Sequence, residues 1–148
     1  MNFTIIKQIW DAYFIYIIIA LIIIVSIIVS NYRIVREKNN AAEVADTFYS
    51  ILKAGDYKNT YKLFTKSFSA GLDTAKMNNE YRNRYQQMGT IKTDSVIKWE
   101  SHVAEGDSGW ACTLYYVVHY SKGTLNEMIT LSKENDSIKI NNYQILKQ

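Results

Sequence analysis

Tyr13 to Ser30 reads YFIYIIIALIIIVSIIVS and lies inside a charge-free run from Ala12 to Tyr32. Wound as an α-helix at about 1.5 Å per residue, that run reaches about 31 Å, the thickness of a bilayer's hydrocarbon core. A buried helix of a soluble domain would carry a polar stripe, and within the quoted stretch only Ser26 and Ser30 are strongly polar. Residues 13–32 are therefore expected to cross a membrane as one helix, behind an N-terminal flank of residues 1–12. Trp10, Tyr13 and Tyr16 gather at one end and Tyr32 stands at the other, where interfacial aromatics belong. A cleaved signal peptide would have an apolar region of only about 7–15 residues ending in small residues. The sequence meets neither condition, so the anchor is expected to be retained. Ser26 and Ser30 form a small-xxx-small pair, a candidate helix–helix contact.

Outside this stretch the composition is that of one small domain. Of the 17 Lys/Arg, Lys7, Arg33, Arg36 and Lys38 flank the span, which leaves 13 against 12 Asp/Glu in residues 39–148. A domain so nearly neutral offers no basic patch for nucleic acid. The single cysteine, Cys112, excludes an internal disulfide and a thiolate-cluster metal site. Twelve tyrosines and no proline point to an ordered, tyrosine-rich sheet. Counting Lys and Arg beside the span places the domain in the cytoplasm by the positive-inside rule, although whole domains obey that rule weakly.

Residues 33–39 form a polar stalk without glycine or proline, and residues 40–148 the domain. Three helical segments open it. Asn40 with Glu43 resembles a capping pair, Val44, Phe48, Ile51 and Leu52 form a stripe, and Gly55 ends the helix. Asp56 is placed to cap a second helix through Tyr57, Tyr61, Phe64 and Phe68. Asp73 caps a third, with Met77, Tyr81, Tyr85 and Met88 on one side and Gly89 at its end. The period then falls to two. Ile91–Val103 alternates as a half-buried strand, with Asp94 and His102 on its polar face. EGDSG at 105–109 turns the chain into Trp110–Tyr120, where Trp110, Cys112, Leu114, Tyr116 and Val118 share a face opposite His119. SKG at 121–123 leads into Leu125–Ser132, and Glu134-Asn135-Asp136 makes the last hairpin into Ser137–Leu146. The apolar phase slips near Asn141-Asn142, which predicts a β-bulge. The expected class is α+β, with three helices packed on one face of a curved four-stranded antiparallel sheet.

The pair AAEVADTFYSILKAGDYKNTYKLFTKSF, a third helix, and long strands ending in ITLSKENDSIKINNYQI resemble the nuclear transport factor 2-like superfamily of cystatin-like, cone-shaped α+β domains. The likeness covers residues 40–148 and is nearest to small bacterial members carried on one N-terminal helix. It rests on element order, the short AGDY connection and the acidic turn before the last strand. It implies a cone whose open end members use for catalysis, ligand binding, subunit contact or nothing known, and it favours a domain outside the cytoplasm.

Superfamily isomerases remove a proton with a buried acid or histidine and bind the developing oxyanion with a Tyr or Asp donor. The residues of those types here are Tyr61, Tyr81, Tyr85, Asp94, His102, Tyr116 and His119, with no spacing that joins a base to a donor. Tyr61, Tyr81, Tyr85, Trp99, Trp110 and Tyr116 are the candidate cavity lining. Two histidines without a carboxylate partner do not make a zinc site, no Gly-rich loop cradles phosphate, and Cys112 alternates with Trp110 and Leu114 as a buried, inert thiol. No catalytic residue, metal or cofactor is assigned. The expectation is a non-enzymatic accessory or assembly subunit of an integral-membrane complex, anchored in the bilayer and able to self-associate. The alternatives are a type IV secretion or conjugation component, a tethered binder of a small apolar ligand, and an isomerase-type enzyme.

Overall fold

In a computed structural model the chain is α+β and divides into two compact units, residues 1–37 and 38–148. The structure describes residues 3–102 and 109–146, with side chains from Tyr13 onward. The first unit is helical. Among the described residues one helix is long and apolar enough to cross a membrane, and none of its most apolar window is buried.

The helix α1 spans Phe3–Lys53. The expected cap at Asn40 and Glu43 does not form, because no glycine or proline interrupts residues 31–54 and the helix passes through them. Its end falls where the sequence places it. Gly55 sits at φ 72°, its N–H donates to the Leu52 carbonyl at 3.1 Å, and the Asp56 N–H donates to Ile51 at 3.2 Å, a Schellman closure. The expected second helix is instead two short pieces, a 3₁₀ segment Tyr57–Leu63 and α2, Lys66–Ala70. Asp56 makes no side-chain cap to backbone; its carboxylate takes the Asn59 side-chain amide. The break lies at Phe64 and Thr65, which are extended. Thr65 donates its N–H to the Ile140 carbonyl at 2.9 Å, and its hydroxyl caps α2 by accepting from the Phe68 N–H. A pairing to the sheet thus displaces one helical turn. The third segment, α3, spans Thr74–Met88, and Asp73 accepts from the N–H groups of Ala75 and Lys76 at 2.9 and 3.0 Å as expected.

The strands β1 (Ile91–His102), β2 (Ala111–Tyr120), β3 (Gly123–Glu134) and β4 (Ser137–Leu146) form an open antiparallel meander in chain order. Val103 and most of the 105–109 turn lie outside the described residues. Asn135 and Asp136 both take positive φ, 49° and 61°, as a two-residue hairpin of the primed type requires. The predicted bulge is Asn141, since Thr130 pairs with Asn142 and Leu131 with Ile140. Two further register shifts, between Ile91 and Thr93 and between Val96 and Lys98, reverse the phase of β1 twice. The alternation read from sequence therefore fails there. Asp94, opposite buried Val118, faces the helices rather than solvent, and Lys53 of α1 pairs with it.

The core lies between the sheet's inner face and α1 and α3. Phe48 is fully buried, with ring centroids of Tyr49, Phe64, Tyr81 and Tyr143 at 5.5, 6.2, 6.3 and 5.1 Å. On α3, Met77 and Tyr81 are buried and Arg84 takes the next inward position. Tyr85, expected on that stripe, is 51% exposed.

Gly89, between α3 and β1, has φ 78°, and a Cβ there would fall 1.9 Å from the Ser121 hydroxyl oxygen. Gly55 has a similar φ with nothing within 4 Å. Gly55→Ala is expected to cost about 1–2 kcal/mol, the left-handed backbone cost alone. Gly89→Ala, at φ 78° and ψ −158° in a region open essentially to glycine alone, should cost more in urea unfolding of the detergent-solubilised chain, and adding Ser121→Ala should relieve only part of the excess.

Candidate functional site

Residues Leu125, Glu127, Ile129 and Leu131 alternate onto the inner face of β3, and Glu127 pairs with Tyr116 of β2. A carboxylate is thereby carried into the core at zero exposure. Its oxygens are filled by the chain's own phenols. Tyr49 of α1 and Tyr143 of β4 donate to Oε2 at 3.0 and 2.8 Å, and Tyr120 of β2 donates to Oε1 at 2.8 Å. Arg84 of α3 brings Nη1 to 3.9 Å from Oε1 and donates to the Tyr143 oxygen, so charge reaches the carboxylate through a phenol as well as directly. The guanidinium lies over the rings of both Tyr81 and Tyr143, 5.6 and 5.5 Å from their centroids. Four elements converge on an acid carried by a fifth.

The electrostatics follow from burial. Desolvation first, then the Glu127 charge, pushes the pKa of Tyr49, Tyr120 and Tyr143 above the ordinary phenol value, so all three remain donors. Burial works against the Arg84 cation, but Tyr143, Glu127 and Tyr120 together outweigh it and hold its pKa above the usual value.

Space beside this cluster is small. Tyr81, Arg84, Tyr120, Leu52, Tyr57 and Ile91 border a recess of about 20 Å³, room for one or two waters. Two larger grooves, of about 290 and 380 Å³, run along the flank of α3; both touch the cluster at Arg84, and the first also at Tyr81 and Tyr143. Glu127 lines none of the three. A buried acid with neighbouring phenols is the composition of a proton-transfer site, but here the donors already occupy the acid, and the larger grooves reach the residues that cover it rather than Glu127 itself.

The residues singled out from sequence scatter. Tyr81 and Tyr85 border the small recess. Tyr61 donates to the Thr74 carbonyl at 2.6 Å, and Tyr116 packs in the core 4.8 Å from the Tyr49 ring. Trp110 donates to the Ser101 hydroxyl at 3.1 Å with the Lys133 ammonium 5.9 Å from its ring, and Trp99 is 39% exposed on the edge strand. His102 pairs with Ala111 and His119 with Thr93, at opposite ends of the β1–β2 ladder, so the two cannot meet; both are exposed. No group of three metal-ligating side chains occurs among the described residues. Cys112 is buried, and desolvation pushes its thiol up to about 11. Ser26 returns its hydroxyl to the Ile22 carbonyl of its own helix at 2.8 Å, and Ser30 is exposed. Glu127 itself escaped the sequence reading, although a charged residue in phase with Leu125, Ile129 and Leu131 marks it. No protein-family model and no curated protein matches the chain.

The raised phenols set a pH dependence. Above about pH 10 unfolded tyrosines lose protons that the folded chain keeps, so the folded state binds more protons and stability falls as pH rises. Each retained phenol contributes a slope of up to about 1.4 kcal/mol per pH unit. Urea unfolding between pH 9 and 11.5 should show this decline, and Tyr143→Phe should lower stability at pH 8 while making the alkaline slope shallower.

Proposed function

We propose that this chain is a membrane-anchored, non-enzymatic accessory or assembly subunit of an integral-membrane complex, its folded unit a nuclear transport factor 2-like domain. One observation carries this reading. The interior around Glu127 is occupied by the chain's own Tyr49, Tyr120, Tyr143 and Arg84, beside a recess of about 20 Å³. A domain with a filled interior acts through its surface. Retention of the apolar helix as an anchor gives such a surface its advantage, because confinement to the membrane raises the effective concentration of a weak contact. The order of helices and strands supports the superfamily assignment, with the second helix broken at Phe64 as a local departure. By resemblance to anchored bacterial members, the domain is placed outside the cytoplasm, against the Lys/Arg distribution.

A second reading, an isomerase-type enzyme, draws on Glu127 and its phenols, and it requires Arg84 or Tyr81 to swing out and open the recess. Extraction of the native protein in mild detergent, followed by mass spectrometry of the purified species, separates the two. The subunit reading predicts one or more membrane proteins at a fixed ratio across several detergents. Recovery of this chain without any stoichiometric partner protein would overturn it.

A further inference from the structure

The strand β1 is an edge of the sheet, and from Ser95 to His102 every residue is exposed on both faces. The opposite edge is partly closed, since Phe64 bridges to Ile140 of β4. On β1 Val96, Ile97 and Trp99 are 38%, 63% and 39% exposed, an apolar run on a strand open along its outer edge, which natural sheets normally guard.

The guard here is selective. After the bulge at Ile97, residues 98–102 pair regularly with β2, Trp99 and Ser101 pointing to the inner face and Lys98 and Glu100 to the outer. Lys98 and Glu100 form an exposed ion pair at 2.6 Å, and Tyr115 donates to Glu100 at 3.1 Å. Turned antiparallel about Trp99, this segment is complementary to itself. Lys98 then stands opposite a second Glu100, Glu100 opposite a second Lys98, and Trp99 opposite its own copy, each pair on one face. The four charges alternate in sign. A generic strand would leave some of them facing like charges or neutral groups.

We infer that β1 is a homodimerisation edge, two copies of this chain joining their sheets antiparallel through residues 98–100, with Trp99 on the two-fold axis. The occupant is a second copy because the chain's own Lys-Trp-Glu segment, reversed, satisfies both charges and sets Trp99 against Trp99. This contact needs no other protein and stands apart from the proposed subunit role. Bulges beside the segment limit it to a few residues, so the interface is short and depends on confinement of both copies to one membrane.

The test uses the full chain in lipid vesicles with buried Cys112 left in place. Directly opposite residues of antiparallel strands have Cα atoms about 4.5–5.5 Å apart, within disulfide range. Trp99→Cys should cross-link to a dimer under mild oxidation, whereas Lys76→Cys, exposed on α3, should not. In the Trp99→Cys background, Lys98→Glu or Glu100→Lys alone should reduce the cross-linked fraction by roughly tenfold, and the two together should restore it. Cross-linking of Trp99→Cys no greater than that of Lys76→Cys overturns the proposal. So does cross-linking that the single reversals leave unchanged, or that the double reversal fails to rescue. Since both charges are exposed, the reversals leave folding intact.

Discussion

A carboxylate at zero exposure is tolerable only where its lone pairs are filled, and Glu127 is held by phenols from three elements and a guanidinium from a fourth. Hydrogen bonds to a charged group contribute about 1.5–3 kcal/mol each, and loss of one partner leaves part of the desolvation cost uncompensated. Tyr49 fixes the height and rotation of α1 over β3, Tyr120 and Tyr143 tie the flanking strands, and Arg84 sets the position of α3. The apolar core around Phe48 supplies most of the burial. The polar cluster selects which packing of these elements is allowed, because an alternative packing would strand the charge.

The same arrangement decides what the interior can do. Cluster and aromatic core together fill the space around Glu127 and leave a recess of about 20 Å³ beside it, with the larger grooves along the flank of α3. Outside it stand an apolar helix fit for a bilayer and an open sheet edge at β1. The two are linked by simple chemistry. Weak edge-to-edge pairing is ineffective in dilute solution and becomes effective when both partners share a membrane plane.

Much of this was legible in residues. Apolar length alone marks 13–32, Gly55 and Gly89 stop their helices because both sit at positive φ, and the phase slip at Asn141 is a bulge visible in the alternation of Ile138, Ile140, Tyr143 and Ile145. The illegible parts have one cause, competition between a local pattern and a distant partner. Tyr57 to Phe68 has helical spacing, but the Ile140 carbonyl takes the Thr65 N–H and splits it. Strand β1 alternates cleanly in sequence, but two bulges against β2 turn Asp94 inward to Lys53. Glu127 was readable in principle from its apolar neighbours two residues away on either side. What no spacing reveals is that Tyr49, Tyr120, Tyr143 and Arg84, up to 94 positions apart, meet around it.

Linkage between Glu127 and Arg84 bears most directly on this account. The measurement is a double-variant cycle by urea unfolding of the detergent-solubilised chain, with Glu127→Leu, Arg84→Leu and the pair. If the buried acid is held as described, each single variant strands a charge and loses about 3–5 kcal/mol, while the double variant recovers a substantial part of the summed loss. Additive losses, with no recovery in the double variant, would show that the acid and the guanidinium act independently and would contradict the central role given to the cluster.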